Sequence, residues 1–170
     1  MKLRDITTQE TFEEALRESS LIERLINLVP CKELQKDLRG LLGCPVDKMA
    51  EYVIASLTKS KVTNKNGSDF IRGNKKAEGK FATVFMKPQK RNGKVYSYPN
   101  ASINNLKTKD CDLFVLLHNP FNDVEHLVLY EFPRDIWKSR WKSEGADITI
   151  GKKSNWTEKH KVMSWSVNGK

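Results

Sequence analysis

The stretch GSDFIRGNKKAEGKFATVF, residues 67–85, decides the fold of this chain. A short apolar segment that begins at Asp69 is followed by a glycine-asparagine turn and by a longer alternating segment, residues 77–86, which together predict a β-hairpin. Side chains two apart on a strand share a face, so Glu78 and Lys80 stand side by side, and hairpin pairing brings Asp69 alongside them. The pattern therefore predicts two carboxylates and a lysine at one end of a β-sheet.

This group of side chains suits magnesium-dependent hydrolysis of a phosphodiester. Hard divalent cations commonly take one or two protein carboxylates together with water and substrate phosphate, and Asp69 and Glu78 could serve as those carboxylates. The metal would polarise the phosphoryl group and activate water, while Lys80 would orient that water or offset the developing negative charge. The alternative is that Glu78 and Lys80 form a solvated charge pair on an exposed strand and that Asp69 is a turn residue.

The segments outside this hairpin predict helices before it and a mixture of strands and helices after it. Three amphipathic helices precede it, ending at Pro30, at Gly43 and near Leu57, and Thr7 and Glu10 form a possible capping box for the first. The later elements are a short helix at 100–106 capped by Asn100, strands at 111–117 and 127–132, a helix that starts at Pro133, and strands at 147–150 and 161–167. We therefore predict an α/β (α+β) fold with a mixed central β-sheet flanked by helices and an N-terminal helical segment.

Charge is distributed unevenly along the chain. Residues 1–60 carry 9 Lys and Arg against 10 Asp and Glu, whereas residues 61–170 carry 21 against 11. This asymmetry is typical of a scaffold followed by a segment that binds a polyanion, although a well-solvated, lysine-rich surface would produce it too. We predict a single domain over residues 1–170, in which 1–60 form a helical scaffold or dimerisation segment and 61–170 form the catalytic and DNA-binding core.

Composition argues against several other classes of protein. No apolar stretch reaches the roughly 18 residues of a membrane helix, and the N-terminus lacks the apolar run of a signal peptide, which favours a cytoplasmic protein with no membrane partner. The three cysteines have the spacing of neither a disulfide framework nor a zinc site. No phosphate-binding glycine motif indicates nucleotide hydrolysis.

Two basic regions predict contacts with DNA, because their side chains suit base edges and phosphates. The first is an excursion at residues 87–98 and comprises Lys87, Gln89, Lys90, Arg91, Asn92, Lys94, Tyr96 and Tyr98. The second is a late set interleaved with tryptophans, comprising Lys138, Arg140, Lys142, Lys152 and Lys153. Trp137 and Trp141, four residues apart, suit core anchors better than base stacking. Glu51 is a candidate for a further carboxylate, although the polar face of a helix explains it better.

Asp69, eight further residues and then Glu78-Gly79-Lys80 resemble the PD-(D/E)xK nuclease signature. Ser68 stands where the motif's name has proline, and Gly79 stands where an apolar residue is usual. The order of elements over residues 45–165 is similar to that of the small homodimeric type II restriction endonucleases.

The resemblance implies a restriction-endonuclease-like fold and a homodimer that cleaves double-stranded DNA at a specific sequence. It implies that Asp69 and Glu78 bind Mg²⁺ and that Asp69, Glu78 and Lys80 are catalytic. Two alternatives stay open. One is a structure-selective DNA nuclease of the resolvase or repair type with the same three residues, and the other is a non-enzymatic basic nucleic-acid-binding protein in which the three residues meet by coincidence.

Overall fold

The computed structural model describes residues 9–41, 43–63, 68–106, 109–141, 145–150 and 155–168. These residues form two compact units that divide after Ser60. The first unit is helical and the second is built on β-sheets, so the chain is mixed α+β, and its central sheet is mixed, as predicted. Among the helices of these residues, none has both the length and the apolar character needed to cross a membrane.

The helical unit contains α1 (Gln9–Asn27), α2 (Lys32–Arg39) and α3 (Val46–Leu57). The first helix packs against the other two. Its core consists of apolar side chains that recur at helical spacing, as the sequence predicts, among them Leu25, Ile26, Val29, Leu38, Met49, Val53 and Ile54.

The ends of these helices follow from the residues beside them. α1 ends before Pro30 and α3 begins directly after Pro45, because a proline lacks the amide hydrogen that a helix interior requires. α2 ends at Arg39 and not at Gly43 as predicted, since Gly40 forms its C-cap and donates its N–H to carbonyl oxygens of the last turn. Thr7 of the predicted capping box lies outside the described residues.

The second unit contains two sheets. In chain order its elements are β1 (Lys61–Val62), β2 (Phe70–Arg72), β3 (Lys75–Thr83), β4 (Phe85–Arg91), β5 (Lys94–Ile103), β6 (Asp112–His118), β7 (Leu127–Phe132), α4 (Arg134–Arg140), β8 (Ala146–Thr149), α5 (Asn155–Glu158) and β9 (Lys161–Trp165). The larger sheet has the strand order β1-β2-β3-β6-β7-β9, and the smaller has the order β4-β5-β8. Neighbouring strands of the larger sheet are antiparallel except for β3 and β6, which run parallel.

Strand β6 is the centre of the larger sheet. Residues 113–117 are each no more than 1% exposed, which confirms the prediction of a strand buried on both faces. Its parallel register with β3 runs from Ala77 opposite Asp112 to Thr83 opposite His118. The predicted strand at 127–132 is also confirmed, as β7 on the other side of β6.

The strand predicted at residues 77–86 is interrupted. It breaks at Val84, whose N–H donates to the carbonyl of His118 at 2.8 Å, and Phe85 then begins β4 in the smaller sheet. The alternation of apolar and polar residues continues through this break, because β3 lies on one side of it and β4 on the other. The change of sheet is therefore invisible in the local sequence.

The helix predicted at 100–106 is wrong, because residues 100–103 are the end of β5. Ala101 and Ile103 are buried and alternate with the exposed Ser102, which is the period of a strand. Asn100 therefore does not cap a helix but pairs across the sheet with β4 and β8.

The later elements agree better with the sequence. Helix α4 follows Pro133 as predicted, and Trp137 is a core anchor that is 2% exposed and donates its Nε1–H to the carbonyl of Cys111 at 2.9 Å. Trp141, at the end of that helix, is half-buried and packs edge-on against Phe132. The two late strands are β8 and the partly exposed β9, while α5 had not been predicted.

We predict that Trp137→Ala lowers the free energy of unfolding by about 3–5 kcal/mol, because it leaves a large cavity and an unpaired carbonyl. Trp141→Ala should cost clearly less, since that ring is only half-buried. Urea unfolding followed by circular dichroism measures both losses. Equal losses in the two variants would contradict the anchoring role of Trp137.

Candidate active site

The hairpin of β2 and β3 brings Asp69 to the level of Glu78. Phe70 pairs with Ala77, so Asp69, the residue before Phe70, lies opposite Glu78, the residue after Ala77. Asp69 donates its backbone N–H to the carbonyl of Ala77 at 3.0 Å, and its carboxylate oxygen Oδ2 accepts the N–H of Gly79, also at 3.0 Å. The Asp69 carboxylate is therefore held against the backbone of the strand that carries Glu78.

Glu78 and Lys80 share one face of β3, as their spacing predicts. The Lys80 amine lies 2.8 Å from Oε1 of Glu78. The Glu78 side chain is only 3% exposed and that of Lys80 is 20% exposed, so this is a largely desolvated ion pair and not a solvated surface pair. The structure thus brings Asp69, Glu78 and Lys80 together, and their chemical roles stay predictions.

A second lysine, Lys109, joins this group and had not been predicted. It precedes β6, and its amine lies 2.9 Å from Oε2 of Glu78. A parallel neighbour of β3 must place the residues before its own start near the start of β3, where Glu78 lies. Lys109 could therefore have been predicted only if β6 were already known to be the parallel neighbour of β3.

The electrostatics of the site are visible in two neighbouring groups. Burial lowers the pKa of Lys109, but the hydrogen bond that it donates to the Glu78 carboxylate and the charges of Glu78 and Asp69 outweigh burial, so the pKa is raised overall. Burial raises the pKa of the Cys111 thiol to about 11, and the charges of Glu78 and Asp69 add to that rise. The carboxylates of Asp69 and Glu78 thus both influence the pKa values of Lys109 and Cys111.

One carboxylate oxygen bears directly on whether a metal fits. Oε2 of Glu78 is buried, and the Lys109 amine lies 2.9 Å from it. Across the described part of the chain, no group of three or more His, Cys, Asp or Glu side chains could hold a metal. Two carboxylates are a number that Mg²⁺ commonly takes from a protein, with water and phosphate as its other ligands, whereas a closed protein cage needs more side chains.

Glu51, the further candidate carboxylate, lies on α3 of the helical unit. It pairs with Lys48 one turn earlier on the same helix. An i, i+3 ion pair on the surface of the helix therefore explains the presence of the Glu51 carboxylate.

The basic excursion predicted at 87–98 is a two-stranded hairpin, formed by β4 and β5. Its two turn residues, Asn92 and Gly93, have φ values of 51° and 74°, the combination that a tight hairpin turn requires. Cross-strand partners share a face, so one face carries Lys87, Gln89, Arg91, Lys94, Tyr96 and Tyr98, which we call the basic-aromatic face. The pairs on the opposite face of this hairpin are Met86 with Pro99, Pro88 with Ser97 and Lys90 with Val95.

Most of the hairpin is open to solvent, but Lys87 is already engaged. Its amine lies 2.6 Å from Asp147 of β8, and the hydrogen bond to Asp147 is the main cause that raises the pKa of Lys87. Lys90, Arg91 and Lys94, near the turn, are exposed. Within the described residues none of those three forms an ion pair, so the available positive charge of the hairpin lies near its turn.

The second predicted basic set is only partly described. Lys138 lies 2.7 Å from Asp110, and hydrogen bonds from Arg134 and Lys138 lower the pKa of Asp110 to about 2. The Arg140 guanidinium lies over the ring of Trp156, 4.4 Å from its centroid. Lys142, Lys152 and Lys153 lie outside the described residues.

Comparison of the chain with protein-family models, with curated proteins and with solved structures found no match. The resemblance to the PD-(D/E)xK nucleases therefore stays a prediction that rests on the residues of this chain.

We predict that Asp69→Ala lowers the free energy of unfolding by about 1–3 kcal/mol, because the buried N–H of Gly79 loses its acceptor. Asp69→Asn should stay close to the wild type, since its amide oxygen can still accept that hydrogen. Urea unfolding of the metal-free protein compares the two. If both variants are equally destabilised, the charge of Asp69, and not its hydrogen bond, stabilises the hairpin.

Proposed function

We propose that this protein is a Mg²⁺-dependent endonuclease that hydrolyses phosphodiester bonds of double-stranded DNA at a specific sequence, as a type II restriction endonuclease does. The observation that carries the proposal is the meeting of Asp69 with the buried Glu78 and with Lys80 at one end of a mixed sheet. A carboxylate whose side chain is 3% exposed is costly to bury even when it is paired with a lysine, so stability alone does not explain its position.

Each side chain has a defined task in this proposal. Asp69 and Glu78 would hold the metal, which when bound supplies positive charge at the phosphoryl group and lowers the pKa of a coordinated water. Lys80 would stay beside Glu78 and would hold the attacking water or offset negative charge as it develops. The hydrogen bond from Gly79 to Asp69 fixes that carboxylate before substrate arrives, so little reorganisation is needed.

The basic-aromatic face would recognise the DNA sequence. The major groove admits a two-stranded β-ribbon, and arginine, lysine and glutamine pair with the edges of its bases. The hairpin leaves directly from the strand that carries Glu78 and Lys80, so its contacts would lie near the scissile phosphate. A homodimer, which we also propose, would place two such sites across a two-fold symmetric target, and we assign the protein to the cytoplasm.

The first test is to incubate the full chain with a long unmethylated DNA and Mg²⁺ and to sequence the fragment ends. A discrete set of fragments with a common end sequence is the expected result. Cleavage confined to branched or damaged DNA would instead support a structure-selective nuclease. Binding without any nicking of supercoiled plasmid would reject the enzyme and leave a basic nucleic-acid-binding protein.

Three substitutions test the catalytic group. Asp69→Asn, Glu78→Gln and Lys80→Met should each abolish Mg²⁺-dependent cleavage, because they remove a metal ligand or the amine beside it. DNA binding should persist, since the basic hairpin is unchanged. Plasmid nicking and a gel-shift assay on the same preparations measure the two activities. Undiminished cleavage by Glu78→Gln would exclude this site.

The two faces of the hairpin give a matched pair of basic residues for testing recognition. Arg91→Ala, on the basic-aromatic face, should cost about 1–3 kcal/mol on the preferred site and much less on random DNA. Lys90→Ala, on the opposite face, should weaken both complexes alike and lower the salt slope of log K by about one unit. Equal losses on both DNAs for Arg91→Ala would remove the recognition role of this face.

A further inference from the structure

Lys109 is the charged group beside the carboxylates for which the proposed hydrolysis supplies no task. Its amine lies 2.9 Å from Oε2 of Glu78, and its side chain is 19% exposed. Glu78 already has the Lys80 amine at its other oxygen. One buried carboxylate is therefore held between two cations, which is more than a structural ion pair requires.

The Glu78 carboxylate is compensated by two neighbouring amines. Lys80 lies at Oε1 and Lys109 at Oε2. A buried carboxylate is strongly destabilising unless it is paired. The Lys109 amine, 2.9 Å from Oε2, supplies positive charge that compensates this carboxylate. A divalent cation on Glu78 would need the same oxygen.

Resting on the proposed function, we propose that Lys109 is a resident counter-ion that occupies the Oε2 side of Glu78 until a divalent cation displaces it. The ammonium group and the metal repel each other and need the same oxygen, so they compete. Lys80 lies on the same strand face as Glu78, which keeps its amine at Oε1. Lys109 lies outside the strands, three residues before β6 begins at Asp112, so its long side chain can move away without breaking a strand.

This competition couples metal binding to DNA. In the DNA-free protein Lys109 lowers the affinity for metal, because binding the metal costs the ion pair with Glu78. The negative phosphate of bound DNA gives the displaced amine a new partner and offsets the added positive charge. Metal and DNA should therefore bind cooperatively, and the hydrolytic centre should fill chiefly on DNA.

Calorimetric titration of Mn²⁺ into the DNA-free full chain tests the proposal without measuring activity. Lys109→Met removes the amine but keeps an unbranched side chain, Lys109→Arg keeps the charge, and Lys159→Met is a control at an exposed lysine. Lys109→Met should bind Mn²⁺ about tenfold more tightly, whereas the other two should stay within about twofold of the wild type. An unchanged or weaker affinity in Lys109→Met would overturn the proposal.

Glu78→Gln separates this proposal from the proposed function. If Mn²⁺ binding is lost in Glu78→Gln but Lys109→Met binds as the wild type does, the counter-ion role alone fails. If the wild type shows no Mn²⁺ site that depends on Glu78, with or without DNA, both proposals fail. Removal of any positive charge near the site relieves repulsion of the metal, so the displacement of Lys109 is measured separately by lysine labelling.

Lysine labelling of the wild type keeps the test open should Lys109→Met fail to fold. An amine-reactive acylating reagent and mass spectrometry report the labelled fraction of each lysine with and without Mn²⁺. We expect the labelled fraction of Lys109 to rise when Mn²⁺ binds, while those of Lys80 and the exposed Lys159 stay constant. An unchanged labelled fraction of Lys109 at saturating Mn²⁺ would overturn the proposal.

Discussion

The parallel pairing of β3 with β6 is the constraint on which the second unit depends. Seven residue pairs, from Ala77 with Asp112 to Thr83 with His118, join the strands. Parallel strands cannot be joined by a tight turn, so the chain between them must make a long crossover. That crossover contains the hairpin of β4 and β5, and its return to β6 brings Lys109 to Glu78. One pairing therefore creates both the exposed basic hairpin and the second cation of the site.

The candidate site buries a charged group and compensates it with other charges. Burial of Glu78 is not the arrangement that stability alone favours, because well-packed apolar side chains often stabilise as well as an ion pair does. The protein instead surrounds this carboxylate with two amines and sets Asp69 beside it by a backbone hydrogen bond. Local rules of core packing are broken most often where a function requires it. The raised pKa values of Lys109 and Cys111 have the same carboxylates among their causes.

Local sequence patterns predicted those features that depend on residues close to one another in the sequence. The hairpin of β2 and β3 follows from a glycine-asparagine turn between two strand patterns, and the period of two placed Glu78 beside Lys80. The helix predicted at 100–106 failed because an asparagine cap signal is weak, whereas pairing with β8 buries Ala101 and Ile103. Lys109 was missed for a related reason: its proximity to Glu78 depends on which strands are neighbours, and no local period carries that information.

The positive charge of residues 61–170 also needs the structure before it can be interpreted. Part of it is paired within the fold: Lys80 and Lys109 pair with Glu78, Lys87 with Asp147, Lys138 with Asp110, and Lys161 with Glu125 and Glu158. Paired lysines release few counter-ions when a polyanion binds, so they add little to its affinity. In the described part of the chain, the hairpin near its turn exposes Lys90, Arg91 and Lys94 without such partners. Unpaired charge on a two-stranded ribbon can both attract a phosphate backbone and place side chains against base edges, whereas net charge alone provides only the attraction.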